Sequence, residues 1–401
     1  MTVGLLYGVV TFRDTPTYGV FVAMCVAASL GAGPKDRGEQ KPLPTPFFPL
    51  EVAWTATLDT PPAAGGEMDD ASVYVPLRSG EVIALARASG RVLWRIAVES
   101  RWPPVAGRAS VVVASRDGLV GLAPTTGQRQ WFTPAPGISA PLAIDGDLLV
   151  AVAEGGEAIA VSAETGVVRW RRALGATSHH PPAIGAGIAF ALEGSRVVAV
   201  DRVTGVVLWS RTFDGILSAP AVARGLVLVG SSSNHFHALK EGTGDDEWTW
   251  RAGGDVIGAA VENDLVYFAS LDNVLHAVNR GNGNQRWKAV LPFRPVAPPV
   301  SLSGVVIVAG VSPRVDGFLS ATGQVQGTYS AVGDLQGTPL VDASVKPYQV
   351  GMVAVTRDGR IIGLRPEQLM MRDPTPVPLI DLPGRRLLRE RQPSPASPLE
   401  P

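Results

Sequence analysis

The sequence predicts an all-β fold: an eight-bladed β-propeller of four-stranded antiparallel blades, its ring closed by the N-terminal strand completing the last blade. Three observations lead there. A tryptophan follows a turn glycine by four residues, repeatedly and at a nearly constant period. Each period holds short apolar runs separated by Gly, Asp and Thr, which suits strands joined by tight turns. A lone Trp strand near the start and a repeat lacking its Trp strand near the end are complementary parts of one unit.

The period is carried by Gly90 and Trp94, Gly127 and Trp131, Gly166 and Trp170, Gly205 and Trp209, Gly244 and Trp248, and Gly283 and Trp287. Successive tryptophans in this series lie 37, 39, 39, 39 and 39 residues apart. Gly323 closes a seventh turn, but Gly327 stands where its tryptophan is expected. The turn glycines supply positive φ, and the Thr or Ser beside several of them can bond the turn backbone. Each tryptophan is expected to dock in the seam between blades, where its N–H needs an acceptor. A small residue six positions before each turn glycine (Ala84, Gly121, Ala160, Ala199, Ala238, Ala277, Gly317) is expected to let neighbouring backbones approach.

At the ends, Met352–Leu364 repeats the pattern of Val111–Leu122 and then stops before any Trp strand. Glu51–Trp54 is a Trp strand with no unit in front of it, and Trp54 precedes Trp94 by 40 residues. Joining the two makes the eighth blade and closes the ring.

Composition agrees with such a chain and narrows its chemistry. Of 401 residues, 46% are hydrophobic and 18% charged, enough apolar material for a core; 45 Gly and 34 Pro serve the many turns. A net charge of −1 offers no electrostatic footprint for nucleic acid. The single cysteine permits no internal disulfide and, with five histidines, leaves little for a thiolate zinc site.

Four segments are expected. Residues 1–33 read as a signal peptide or lipoprotein signal with an apolar stretch at Gly19–Gly33, so the protein is expected to be exported to the periplasm or a periplasmic membrane face. Cys25 sits in a sequence resembling a lipoprotein box, although Met24 replaces the small residue that would precede it; the alternative is an apolar cysteine in a discarded segment. Residues 34–49 read as a linker, 50–366 as the propeller, and 367–401 as a flexible Pro- and Arg-rich tail.

The run from Ala199 to Trp209 holds the complete pattern Ala-x-Asp-x-x-Thr-Gly-x-x-x-Trp. It resembles the tryptophan-docking repeat of PQQ-type propellers. Two branches of that superfamily bear on function. Quinoprotein dehydrogenases hold pyrroloquinoline quinone and calcium in the central funnel, whereas BamB-type propellers are non-catalytic scaffolds of the outer-membrane protein assembly machine. The resemblance implies the fold for about residues 50–366; function must come from a site.

The dehydrogenase branch makes demands on the residues. Many of its members carry long loops over the funnel and a vicinal Cys–Cys disulfide, and a spacing of 37 to 40 residues with one cysteine provides neither. Calcium takes six to eight oxygen ligands. The acidic pairs Asp69-Asp70 and Asp245-Asp246 are isolated and read as turn residues. His179 and His180, before the first strand of a blade, are the one candidate funnel contact. His235 and His237 share a strand face at spacing two. No phosphate loop or nucleophile elbow is present. The expectation is a non-catalytic, monomeric envelope propeller without cofactor that binds other proteins, with the outer-membrane assembly complex as candidate partner. The alternative is a PQQ- and calcium-dependent oxidoreductase or a degenerate quinone-binding relative.

Overall fold

A computed structural model of the chain describes residues 47–367, apart from 303, 311–312 and 343–348. The expectations for residues 1–33, with Cys25, and for the tail from 368 onward lie outside the described residues.

Among the described residues, thirty-two strands form eight four-stranded antiparallel sheets. Blade 1 comprises Glu67–Met68, Ser72–Pro76, Glu81–Ala86 and Val92–Ala97. Blades 2 to 7 follow in order within 105–134, 143–173, 183–212, 221–251, 256–290 and 300–330. Blade 8 takes Leu340–Val341, Met352–Val355 and Arg360–Pro366 from the end of the propeller, and its outer strand, Leu50–Thr57, from the start. The first strands of successive blades touch one another from blade 8 through blades 1 to 7, so they form the inner ring. The second and third strands are sandwiched between neighbouring blades, which is why runs such as Leu148–Ala153 are apolar at every position and buried throughout. Outer strands such as Val168–Ala173 bury little besides their tryptophan.

One contact repeats at seven of the eight seams. The indole N–H of Trp54 donates to the carbonyl of Arg87 at 2.7 Å, Trp94 to Pro124 at 2.7 Å, and Trp131 to Ala163 at 3.2 Å. Trp170 donates to Arg202 at 3.1 Å, Trp209 to Glu241 at 2.7 Å, Trp248 to Arg280 at 2.7 Å and Trp287 to Ser320 at 2.9 Å. Each acceptor lies three residues before the turn glycine of the next blade, and the ring covers that glycine. The seven turn glycines have φ between 68° and 75°. A Cβ on any of them would lie 2.4–2.9 Å from the indole. Glycine is thus required twice, by the left-handed backbone and by the ring pressed against it.

The small residue six positions earlier has a different role from the expected one. It clears space for the indole of its own blade, not for a neighbouring backbone. Ala84, Ala160, Ala199, Ala238 and Ala277 each stand directly opposite that tryptophan across the sheet. A Cβ on Gly121 would come within 2.1 Å of Trp131, and one on Gly363 within 2.2 Å of Trp54.

The closing seam, from blade 7 to blade 8, is built otherwise. Because the outer strand of blade 8 comes from the N-terminal side, no hairpin turn links it to Arg360–Pro366, and the usual glycine and carbonyl that receive an indole are missing there. Blade 7 accordingly has Gly317 opposite Gly327, and Phe48 fills the space above both. Phe48 is 2% exposed and Phe47 8%, their rings 5.5 Å apart and edge-on. Glu367 N–H then donates to the Pro49 carbonyl at 2.7 Å. Phe47 and Phe48, expected at the end of a linker, are therefore propeller core.

Candidate functional site

Two kinds of loop share one face of the ring: the turns between second and third strands, and the connections from each outer strand to the next blade. Between blades 1, 2 and 3 this face sinks into a cavity of about 590 Å³. Buried Leu77, Ala114 and Ile138 make its apolar lining. Half-buried Trp102 stands in it, held by its N–H on the Ile138 carbonyl at 3.1 Å and by Ser100 Oγ donating to its own carbonyl at 2.9 Å. Arg78, Arg101, Arg116, Glu99 and Glu154 form the polar rim, with Arg116 and Glu99 paired at 3.4 Å. Sequence reasoning did not single out Trp102. It is one of two tryptophans out of register with the repeat, Trp250 being the other, and that was the readable signal.

His179 and His180 do not converge on a common point. His179 is exposed and its Nε2 lies 2.5 Å from Glu193 Oε1, whereas Nε2 of His180 donates to the Leu217 carbonyl of the next blade at 3.0 Å. Burial holds the His180 imidazole below its usual pKa. The pair thus braces the connections before blades 4 and 5. The rings of His235 and His237 stack at 6.0 Å, and His237 also meets Phe213 at 4.8 Å. Asp69 caps a turn, accepting from the amides of Ala71 and Ser72 and from the Tyr74 hydroxyl. Asp246 pairs with Arg211 at 2.6 Å. Asp245 accepts from the Thr243 hydroxyl at 2.8 Å within its turn, whereas Asp246 opens the outer strand of blade 5 and its partner Arg211 lies on blade 4.

One buried group and one half-buried group carry unusual electrostatics. His276, 7% exposed, is stacked on Phe268 at 4.9 Å and lies 6.1 Å from Trp250. Neither of its ring nitrogens has a partner among the described residues. Burial pushes it down from 6.5 to about 4, with Asp272 opposing the shift and Lys288 adding to it. Glu67, on the inner strand of blade 1, is pushed up by burial from 4.5 to about 7. For His276 the unfolded chain binds the extra proton, so its stabilising contribution is full above pH 6.5 and is lost as pH falls toward 4. Glu67 acts oppositely: its contribution is full below pH 4.5 and is lost as pH rises through about 7. His276→Phe keeps the ring stack and removes the titration. It should stabilise the protein by about 2 kcal/mol at pH 5, with a smaller gain at pH 8. Urea melts at both pH values check this, and an equal effect at both would refute the titration.

Quinone and calcium can be tested against these residues. The inner ring presents mainly apolar side chains, such as Val105–Ala106, Ala183–Ile184 and Leu340–Val341. Among the described residues, no three of His, Cys, Asp or Glu gather where they could hold a metal ion. The donor set does not fit calcium with a quinone.

Fold and seams together define a class of protein: an eight-bladed propeller assembled from tryptophan-docking repeats. The family model described as "Outer membrane protein assembly factor BamB" matches residues 51–180, 117–214 and 193–362, and the chain belongs to this PQQ-like, BamB-type propeller family. A BamB from Bordetella pertussis is 30% identical over 126 residues, covering 29% of this chain and 32% of that relative. The match thus spans about a third of the relative's length. Among solved structures, BamB from Moraxella catarrhalis aligns with a TM-score of 0.63 at 18% identity, over 79% of this chain and 99% of that one. A quinohemoprotein alcohol dehydrogenase from Comamonas testosteroni aligns with a TM-score of 0.59 at 14% identity, over 80% and 77%. At these identities both structures speak for the fold alone.

Proposed function

We propose that the protein is a non-catalytic scaffold of the cell envelope, exported to the periplasm, which docks partner proteins on its loop face during assembly of outer-membrane β-barrel proteins. The observation that carries this reading is the family match, which runs from residue 51 to residue 362 and so takes in every blade. The Bordetella pertussis relative bears the same description over the part it shares. The architecture suits the role. Close packing at the seams holds sixteen loops in fixed relation, and binding residues commonly sit on loops carried by a rigid scaffold. Blade 4 adds an apolar outer edge, with Val203 74%, Val206 52%, Val207 43% and Leu208 48% exposed. Exposed apolar groups of this kind mark surfaces that meet other proteins. A lipid on Cys25 would tether the ring to a membrane.

Photocrosslinking tests the reading. A benzophenone residue placed at Ser79, Ser195 or Ser232 on the loop face should capture assembly-machine subunits from detergent-solubilised envelopes. Recovery of none of them from any of the three positions would overturn the assembly role.

A further inference from the structure

We propose that the cavity between blades 1, 2 and 3 seats an acidic, extended segment of a partner protein, its carboxylates on Arg78 and Arg101 and an apolar side chain against Trp102. The inference rests on the scaffold reading and gives it a site and a partner chemistry.

Charge is divided across the loop face. In blades 3 to 6, the connections and turns at 135–142, 154–156, 174–182, 193–195, 213–220, 231–234, 252–255 and 271–273 hold Glu154, Glu193, Asp214, Asp255 and Asp272 and no lysine or arginine. The loops of blades 1 and 2, at 58–66, 77–80, 98–104 and 115–117, hold Arg78, Arg101 and Arg116 against Asp59, Glu99 and Asp117, and Asp59 is already paired with Arg95 on the outer strand of blade 1 at 2.9 Å. The cavity lies at the border between the two sectors.

Within it the charges are unevenly matched. Arg116 and Glu99 satisfy one another. The exposed guanidinium groups of Arg78 and Arg101 have neither an ion pair nor a hydrogen-bond acceptor among the described residues. A guanidinium presents a planar fork of donors that matches a carboxylate, so this wall favours acidic groups. Trp102 and Ile138 supply apolar surface beside it, and tryptophan and arginine are both enriched among the residues that carry most of the binding energy at protein interfaces. Glu154, on the wall from blade 3, repels a second carboxylate and so sets the direction in which an acidic segment lies.

Size and alternation point to an extended chain. The volume of about 590 Å³ falls in the range that holds a drug-sized ligand or several side chains and far exceeds a simple anion. In an extended segment successive side chains point to opposite sides. Acidic residues at alternate positions then meet the arginines while the intervening apolar residues meet Trp102 and Ile138.

The test uses the full chain and a fluorescent, N-acetylated, C-amidated nonapeptide of alternating glutamate and leucine, followed by anisotropy. A lysine–leucine peptide of the same length is the control. The glutamate peptide should bind, more weakly as salt is raised, and the lysine peptide should not. Reversing both charges, Arg78→Glu with Arg101→Glu, should weaken binding by about tenfold or more. Glu154→Gln should tighten it, and Arg129→Glu on the exposed outer strand of blade 2 should leave it unchanged. Melting temperatures of these surface variants should match the wild type, which separates lost binding from lost folding. Equal binding of the two peptides, an unaltered affinity after charge reversal, or tighter binding of a uronic-acid oligosaccharide through the same arginines would each overturn the assignment. Capture of assembly subunits through Ser195 or Ser232 would survive such a failure, so the two readings fall separately.

Discussion

Phe48→Ala should cost roughly 3–5 kcal/mol, as large a loss as any single core truncation in the molecule. The ring fills the space above Gly317 and Gly327 at the one seam without a docking tryptophan, so its removal leaves a cavity where the two ends of the propeller meet. The strand Leu50–Thr57 would keep its ladder to Arg360–Pro366 and the Arg365–Glu51 ion pair at 2.6 Å, but that ion pair is partly solvated and contributes little. A companion substitution makes the test specific. Gly327→Trp in the wild type forces an indole into space already taken by Phe48, because a Cβ at 327 lies 2.6 Å from the phenylalanine Cβ. Such overpacking should cost about 1–3 kcal/mol. In the Phe48→Ala background the ring atoms that lie 3.0 Å from that Cβ are gone and only the contact with the residue 48 Cβ stays, so part of the overlap is relieved and the double variant should be less destabilised than the sum of the two. Denaturant melts of the four proteins give the coupling. Additive losses would mean that the two side chains do not compete for one site.

The repeat made most of the fold legible. Turn glycine, tryptophan and small residue belong to one hairpin, so their spacing is written locally, and the unmatched strands at the two ends show how the ring closes. What the spacing could not show is how one blade meets another. The small residue was legible as a constraint but not as clearance for the indole of its own blade, because Ala199 and Trp209 face one another only once register is known. Phe48 was not legible at all. It meets Gly317 and Gly327 across most of the length of the propeller, and one phenylalanine before a strand repeats nowhere. The missing tryptophan at 327 was visible, yet its reason is topological: the blade that should receive an indole has no connecting turn. For the site, the out-of-register Trp102 and the lysine- and arginine-free loops of blades 3 to 6 were present in the sequence. Their meeting at one cavity was not, since it depends on three successive blades lying side by side.

Trp170→Ala should also cost roughly 3–5 kcal/mol, because one side chain serves two blades. Its ring is 8% exposed, covers Gly205 of blade 4 and donates its N–H to the Arg202 carbonyl at 3.1 Å. Truncation therefore removes apolar burial at the seam and leaves the Arg202 carbonyl without its indole donor. The same contact can be broken from the other side. Gly205→Ala places a Cβ 2.7 Å from the indole and strains a backbone at φ 68°, so it should cost about 1–2 kcal/mol for the left-handed conformation alone and more for the displaced ring. Because both substitutions attack one contact, the double variant should lose little beyond Trp170→Ala apart from the backbone strain. A loss below about 1 kcal/mol for Trp170→Ala in denaturant melts would mean that the seam is held by its strands and that the repeated tryptophan is not the docking element.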